Sequence, residues 1–243
     1  MKERPVIFSD PMIRAILAGR KTQTRRVIVA KTLLWLTDPA TFYKARRDDR
    51  NGFSEPAAQH HKGAGWFWYE EEYIEEGGHV LFRCPYGQKG DRLYVREAYH
   101  FDKEYDADSR MAALRASAVP PIAKVHYAAD GRKPDWAGRR RPSIHQPKWA
   151  SRILLEVQEI QVERVREMTD KDAIVEGAFE VPEDMKQNAA RSAMARGQEQ
   201  CGPVDYFAWL WDTINEHRGY GWEANPWVWV VKFKVLQKER IRA

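Results

Sequence analysis

Apolar positions near the N-terminus fall first into a helical rhythm. Ile13, Ile16 and Leu17 are spaced to share one face of a helix. Asp10 can cap it, with Pro11 at the first helical position, where no N–H is missed. Gly19 suits the left-handed residue that ends such a helix. A strand rhythm follows further along. HVLFR and GDRLYVREAYHF read as strands, the second with Leu93 and Val95 alternating with Arg92, Tyr94 and Arg96. KVHYAADG predicts a strand and a turn, and the run from Ile153 to Val165 a long strand. Thr169 then caps a short helix, with Asp172 at the capping-box position and Gly177 as its stop. Pro203 opens a stronger helix, in which Phe207, Leu210, Trp211 and Ile214 fall at i, i+3, i+4 and i+7. PWVWVVKFKV closes the pattern as a strand with Trp227, Trp229, Val231 and Phe233 on one face.

Three stretches lack either rhythm: about 31–78, 102–121 and 180–202. They read as insertions, the first rich in Pro, Gly and charge, the last loosely helical. Within the first, WFWY suggests a short strand, and the acids from Glu70 to Glu76 a solvated face or turn. No internal repeat is visible. Helices and strands do not alternate regularly, which argues against a doubly wound parallel sheet. An α+β single domain over 1–243 fits better: a small mixed β-barrel with peripheral helices and loop insertions.

Composition adds bounds. Hydrophobic residues make up 43%, enough for a core. No run of about 18 apolar residues predicts a membrane span, and no apolar h-region marks a secretion signal. Cys84 and Cys201 lie far apart without CxxC spacing. That fits a reducing cytoplasm and argues against a cysteine zinc site. A net charge of +5 and ten tryptophans suit contact with nucleic acid, since cations neutralise phosphates and rings stack on bases. Tryptophans filling the core among scattered charges give the same composition.

The first helix runs straight into ILAGRKTQTRRV, from Ile16 to Val27. A threonine hydroxyl becomes a useful nucleophile when a base takes its proton, and a neutral lysine can be that base. A turn could bring Lys21 to Thr24. The obstacle is protonation, because an unperturbed lysine titrates near 10.4. Burial and neighbouring cations both lower that value, and Arg20, Arg25 and Arg26 are the cations at hand. Cations just past a helix C-terminus are equally explained by its dipole and free carbonyls.

ILAGRKTQTRR resembles the signature of ASCH domains, a branch of the PUA-like superfamily of small β-barrels, whose usual motif is G-x-K-x-x-E-x-R. Gly19, Lys21 and Arg26 stand at its glycine, lysine and arginine places, and Thr24 where most members have glutamate. A threonine there is similar to the small bacterial ASCH proteins that hydrolyse N4-acetylcytidine. In that branch a lysine, a threonine and a glutamate from a later short helix form the catalytic set. MTDKDAIVEG resembles that helix and puts Glu176 at the glutamate position. GDRLYVREAY, PSIHQPKWASRILLEV and RGYGWEANPWVWVVKFK resemble longer, phage- and prophage-type ASCH proteins, so the likeness spans most of the chain outside the insertions. It implies a PUA-like barrel and an amidohydrolase acting on an N-acylated pyrimidine nucleoside or related base. Thr24 would be the nucleophile, Lys21 the base and Glu176 the proton carrier, with Arg26 and backbone N–H groups on the oxyanion. No cofactor and no metal are implied. The alternatives are a non-catalytic RNA- or DNA-binding module and a ribonuclease.

Other residues are candidates in their own right. Glu176 puts a negative charge at the negative end of its helix, a local misfit of the kind found at functional positions. Arg139, Arg140, Arg141 and Lys148, held extended by Pro142 and Pro147, form the best patch for a polynucleotide backbone; a solvated basic loop is the plainer reading. His145 and Trp149 could contact a base, and a structural hydrogen bond is the simpler role for the histidine. Arg96 and Glu97 suggest an internal ion pair. The expected partner is a modified nucleoside or RNA/DNA and the expected place the cytoplasm, with oligomeric state left open.

Overall fold

The computed structural model describes residues 1–28, 59–60, 66–70, 79–106, 124–178, 183–195, 197 and 201–237. Most of the first expected insertion, including the acids from Glu71 to Glu76, lies outside them, as do most of the second and the ends of the third.

A five-stranded mixed sheet organises the chain. Its strands are β1 (Glu3–Ile7), β2 (Gln23–Val27), β6 (Arg92–Arg96), β9 (Leu154–Arg164) and β10 (Trp227–Gln237), in the order β1-β6-β9-β10-β2. The β1–β6 pair is parallel and the other three are antiparallel. Three short strands, β3 (Gln59–His60), β4 (Trp66–Glu70) and β5 (His79–Arg83), form a separate antiparallel sheet. A last pair joins β7 (Tyr99–Phe101) to β8 (Val125–Tyr127). The architecture is α+β with a mixed sheet. Among the described residues the five-stranded sheet does not close on itself, because its edge strands β1 and β2 are not paired. One side chain crosses between those edges: the Arg26 guanidinium donates to the Ile7 carbonyl.

Alternation along β10 explains why its sequence is almost continuously apolar. Trp229, Val231 and Phe233 face one core with Val6, Phe8, Ile13, Ile16, Leu93, Val95 and Leu155. Val228 and Val230 face a second core with Met168, Ala173, Phe207 and Trp211. A strand buried on both sides loses the polar alternation of a half-exposed one. The expected face of Trp227, Trp229, Val231 and Phe233 is thus packed core, with Trp227 only partly buried.

Four α-helices are present among the described residues, the third packing on the fourth. They are α1 (Asp10–Leu17), α2 (Asp170–Val175), α3 (Glu183–Ala195) and α4 (Pro203–Asn215). The cap of α1 is Ser9 rather than Asp10, which is the first helical residue. The α2 helix starts as expected, with Thr169 and Asp172 forming a capping box. No described helix is long and apolar enough to cross a membrane.

Two strands of the five-stranded sheet were not foreseen, and neither was β3, which falls in the first expected insertion. β1 is short, and β2 reads QTRRV, which offers no apolar alternation. Glu97 corrects another expectation: its partner is Arg152, through hydrogen bonds of 2.9 Å to each carboxylate oxygen, and Arg152 also reaches Asp130. Arg96 instead donates to the Ile144 carbonyl. Consecutive residues point to opposite sides of a strand, so neighbours in sequence are poor candidates for a mutual ion pair.

Candidate active site

The loop between α1 and β2 is fixed by backbone hydrogen bonds before any side chain acts. Gly19 takes φ +76, a conformation that costs glycine little. The N–H groups of Arg20 and Lys21 then both donate to the Ala15 carbonyl. Thr22 N–H donates to the Val175 carbonyl at the end of α2, and its own carbonyl accepts from Phe233 N–H on β10. Lys21 therefore enters the space between α1, α2 and the sheet edge. The α2 side leaves room: Gly177 has φ +88, and a Cβ there would stand 3.8 Å from the Lys21 side chain.

Inside that space Lys21 meets Glu176, the residue that ends α2. Lys21 Nζ lies 2.9 Å from Glu176 Oε2 and 2.7 Å from the Glu176 carbonyl. Lys21 is 0% exposed and Glu176 5%. The Phe8 ring lies 5.7 Å from the same nitrogen. Burial pushes the Lys21 ammonium below the ordinary lysine range; the Glu176 carboxylate pulls it back up, and Arg26 and Arg25 push it down again. An ammonium has three donor positions, and Glu176 occupies two of them.

Glu176 is held from its other side by Arg25, which spacing did not single out as a site residue. Arg25 is 4% exposed. It donates to Glu176 Oε1 at 3.2 Å and to Glu163 Oε2 at 3.0 Å, and lies 3.6 Å from Asp172 Oδ2. Gln23 shares its face of β2 and donates to Asp172 Oδ1 at 3.1 Å. The available signal was the alternation of Gln23 and Arg25, which face Asp172 and Glu176, two of the three carboxylates of DKDAIVE.

Burial opposes ionisation of Asp172, yet hydrogen bonds from Thr169 and Gln23 and the charge of Arg25 hold its carboxyl below the usual range. A carboxyl lowered in the folded state stabilises fully above its unfolded value, about 3.9, and loses that contribution as pH falls through its native value. Asp172→Asn is expected to unfold at lower urea than the parent at neutral pH, and the gap should close on acidification below about pH 3.9. A gap independent of pH would assign the loss to the helix cap alone.

Thr24 sits on β2 itself, so a strand rather than a turn separates it from Lys21. It is 3% exposed and pairs across the sheet with Val231. Its hydroxyl forms no hydrogen bond with any described residue. By alternation it faces the core that contains Phe8 and Val231, as does Arg26. The Arg26 guanidinium lies 5.2 Å from the Phe8 ring centre. Arg26 and the tip of Lys21 thus meet at the Phe8 ring, with Thr24 on the same face of β2 as Arg26, while Arg25 and Glu176 meet on the far side of the strand.

The remaining candidates lie elsewhere in the fold and are engaged within the chain. Arg140 pairs with Asp10 at 3.1 Å and Lys148 with Glu3 at 2.6 Å. Arg141 is buried, donating to the Tyr105 carbonyl and Asp106. Arg139 is exposed, and its backbone N–H donates to Asp106. Trp149 stacks on Phe101 at 5.4 Å. His145 is exposed, and its carbonyl accepts from the Tyr99 hydroxyl. None of these is in contact with the Lys21–Glu176 pair. Among the described residues no group of three or more His, Cys, Asp and Glu side chains is arranged to hold a metal ion.

Comparisons with protein-family models, curated proteins and solved structures gave no match to this chain.

Proposed function

We propose that this protein is an ASCH-type, PUA-like amidohydrolase that removes an acyl group from the exocyclic amine of a pyrimidine nucleoside, N4-acetylcytidine being the model substrate. The observation that carries the reading is the pair of Lys21 and Glu176, buried together although 155 positions apart. A lysine withdrawn from water is a costly structural element, and once neutral a good base. Tuned titrating groups cluster at functional sites, although structural ion pairs also produce them.

Thr24 Oγ attacks the acyl carbon and gives its proton to Lys21 Nζ. The carbonyl becomes an oxyanion, facing Arg26 and backbone N–H groups. The C–N bond then breaks, and the Lys21 proton, steered by Glu176, goes to the leaving nitrogen. Water next attacks the acyl-threonine and gives its proton to Lys21. The C–O bond to Thr24 breaks, and Lys21 returns a proton to the threonine oxygen. The products are the free nucleoside and the carboxylate with its proton.

The PUA-like barrel is the finer form of the fold in this proposal. It is supported by the near approach of the two sheet edges, which Arg26 bridges to Ile7. The test incubates the whole chain separately with N4-acetylcytidine and with labelled RNA. Cytidine and acetate from the nucleoside support the reading. Shortened RNA would identify a nuclease. Salt-dependent RNA binding without any product would identify a binding module, with a steep dependence if several phosphates are contacted.

A further inference from the structure

We propose that Arg25 is a positioning residue: by holding the outer oxygen of the Glu176 carboxylate, it lets Lys21 release its proton without stranding that carboxylate as a lone buried charge. The inference rests on the reading of Lys21 as a base.

Charge balance around Glu176 assigns Arg25 this role. Were Lys21 the sole cation on Glu176, each would enforce ionisation of the other, because an uncompensated buried charge is strongly unfavourable. Lys21 would then stay protonated and useless as a base. Arg25 breaks that dependence. It contacts Oε1 while Lys21 contacts Oε2, so the carboxylate keeps a cation whichever way the lysine proton moves. Arginine suits the task because it does not lose its own proton. Its planar fork also spans Glu176 and Glu163, one nitrogen to each.

The charged groups that bear on Lys21 come from three elements. Glu176 lies at the end of α2 and favours the ammonium, whereas Arg25 and Arg26 on β2 oppose it. Asp172 on α2 and Glu163 on β9 act through Arg25. The Phe8 ring covers the remaining approach. Loss of Arg25 removes a cation that repels the ammonium and leaves Glu176 to the lysine alone. Both changes raise the pH at which Lys21 gives up its proton.

The experiment follows Lys21 in two ways, by the acid limb of kcat/KM on N4-acetylcytidine and by the side-chain NMR titration of labelled lysine. Arg25→Met is expected to move both upward by about one pH unit, with KM little changed. Arg25→Lys keeps a charge but cannot span two carboxylates, and should move them less. Glu163→Gln, at a partly exposed position, leaves Arg25 more strongly available to Glu176 and should move both downward; it also stands in if Arg25→Met does not fold. An unmoved lysine titration in the folded variants overturns the proposal. If the parent shows no turnover but the lysine titration moves as described, Arg25 keeps its role and the deacylase reading falls.

Discussion

Lys21→Met is expected to lower kcat/KM on N4-acetylcytidine by about 10²–10⁴, the usual worth of a positioned general base, while leaving the fold intact. The two halves of that result come from the same environment. Lys21 is wholly buried, so methionine, of similar length and apolar, fits without carrying a charge out of water. Glu176 keeps Arg25 as a counter-ion at 3.2 Å, so the substitution does not strand it. Removing one member of a buried ion pair is costly because it leaves the other charge uncompensated, and here Arg25 still compensates Glu176. Thermal unfolding at or above the parent's temperature, together with lost turnover, would mark the lysine as a group kept for chemistry. Turnover within a factor of about two of the parent would remove Lys21 from the mechanism, since a general base contributes far more.

The second large effect is on stability. Glu176→Leu is expected to cost about 3–5 kcal/mol at neutral pH, the usual penalty for breaking a buried pair by removing one partner. Arg25 retains Glu163 and Asp172, so the deficit belongs mainly to Lys21, whose one side-chain counter-ion among the described residues is Glu176. The lysine can escape by losing its proton, which fixes the pH dependence. In the variant its native value is lowered further from about 10.4, so the folded state binds fewer protons than the unfolded one. Stability must then rise with pH between the two values. Urea unfolding at pH 7 and pH 9 should show the variant recovering relative to the parent. The double substitution Lys21→Met with Glu176→Leu should regain most of the loss. A deficit that neither alkali nor the second substitution relieves would mean that helix α2 itself had been damaged.

Much of the framework was legible along the chain. The strand at Trp227–Gln237 and the helices at Asp170 and Pro203 announce themselves by apolar rhythm, capping residues and glycine stops. β2 does not, because QTRRV carries two arginines and no apolar alternation. Its inward arginine is soluble in the fold only because three carboxylates from two other elements meet it, and such long-range compensation leaves no local trace. Helix α3 was legible only as a loosely helical insertion, since EDMKQNAARSAMA has no continuous apolar face. The same limit applies to the basic segment. Arg140 and Lys148 look free in sequence, yet their partners Asp10 and Glu3 lie more than a hundred positions upstream. Glu176 was legible through its likeness to a motif and its poor fit to the helix dipole. Arg25 had neither signal.

In the proposed reaction Thr24 becomes acylated while Lys21 takes its proton. Release of acetate from N4-acetylcytidine, followed for the parent and for Thr24→Ala under identical conditions, tests it most directly. Steady release by the parent and a loss of at least about 10² in the variant is the predicted result. Equal rates for the two proteins, or no acetate from the parent, would contradict it.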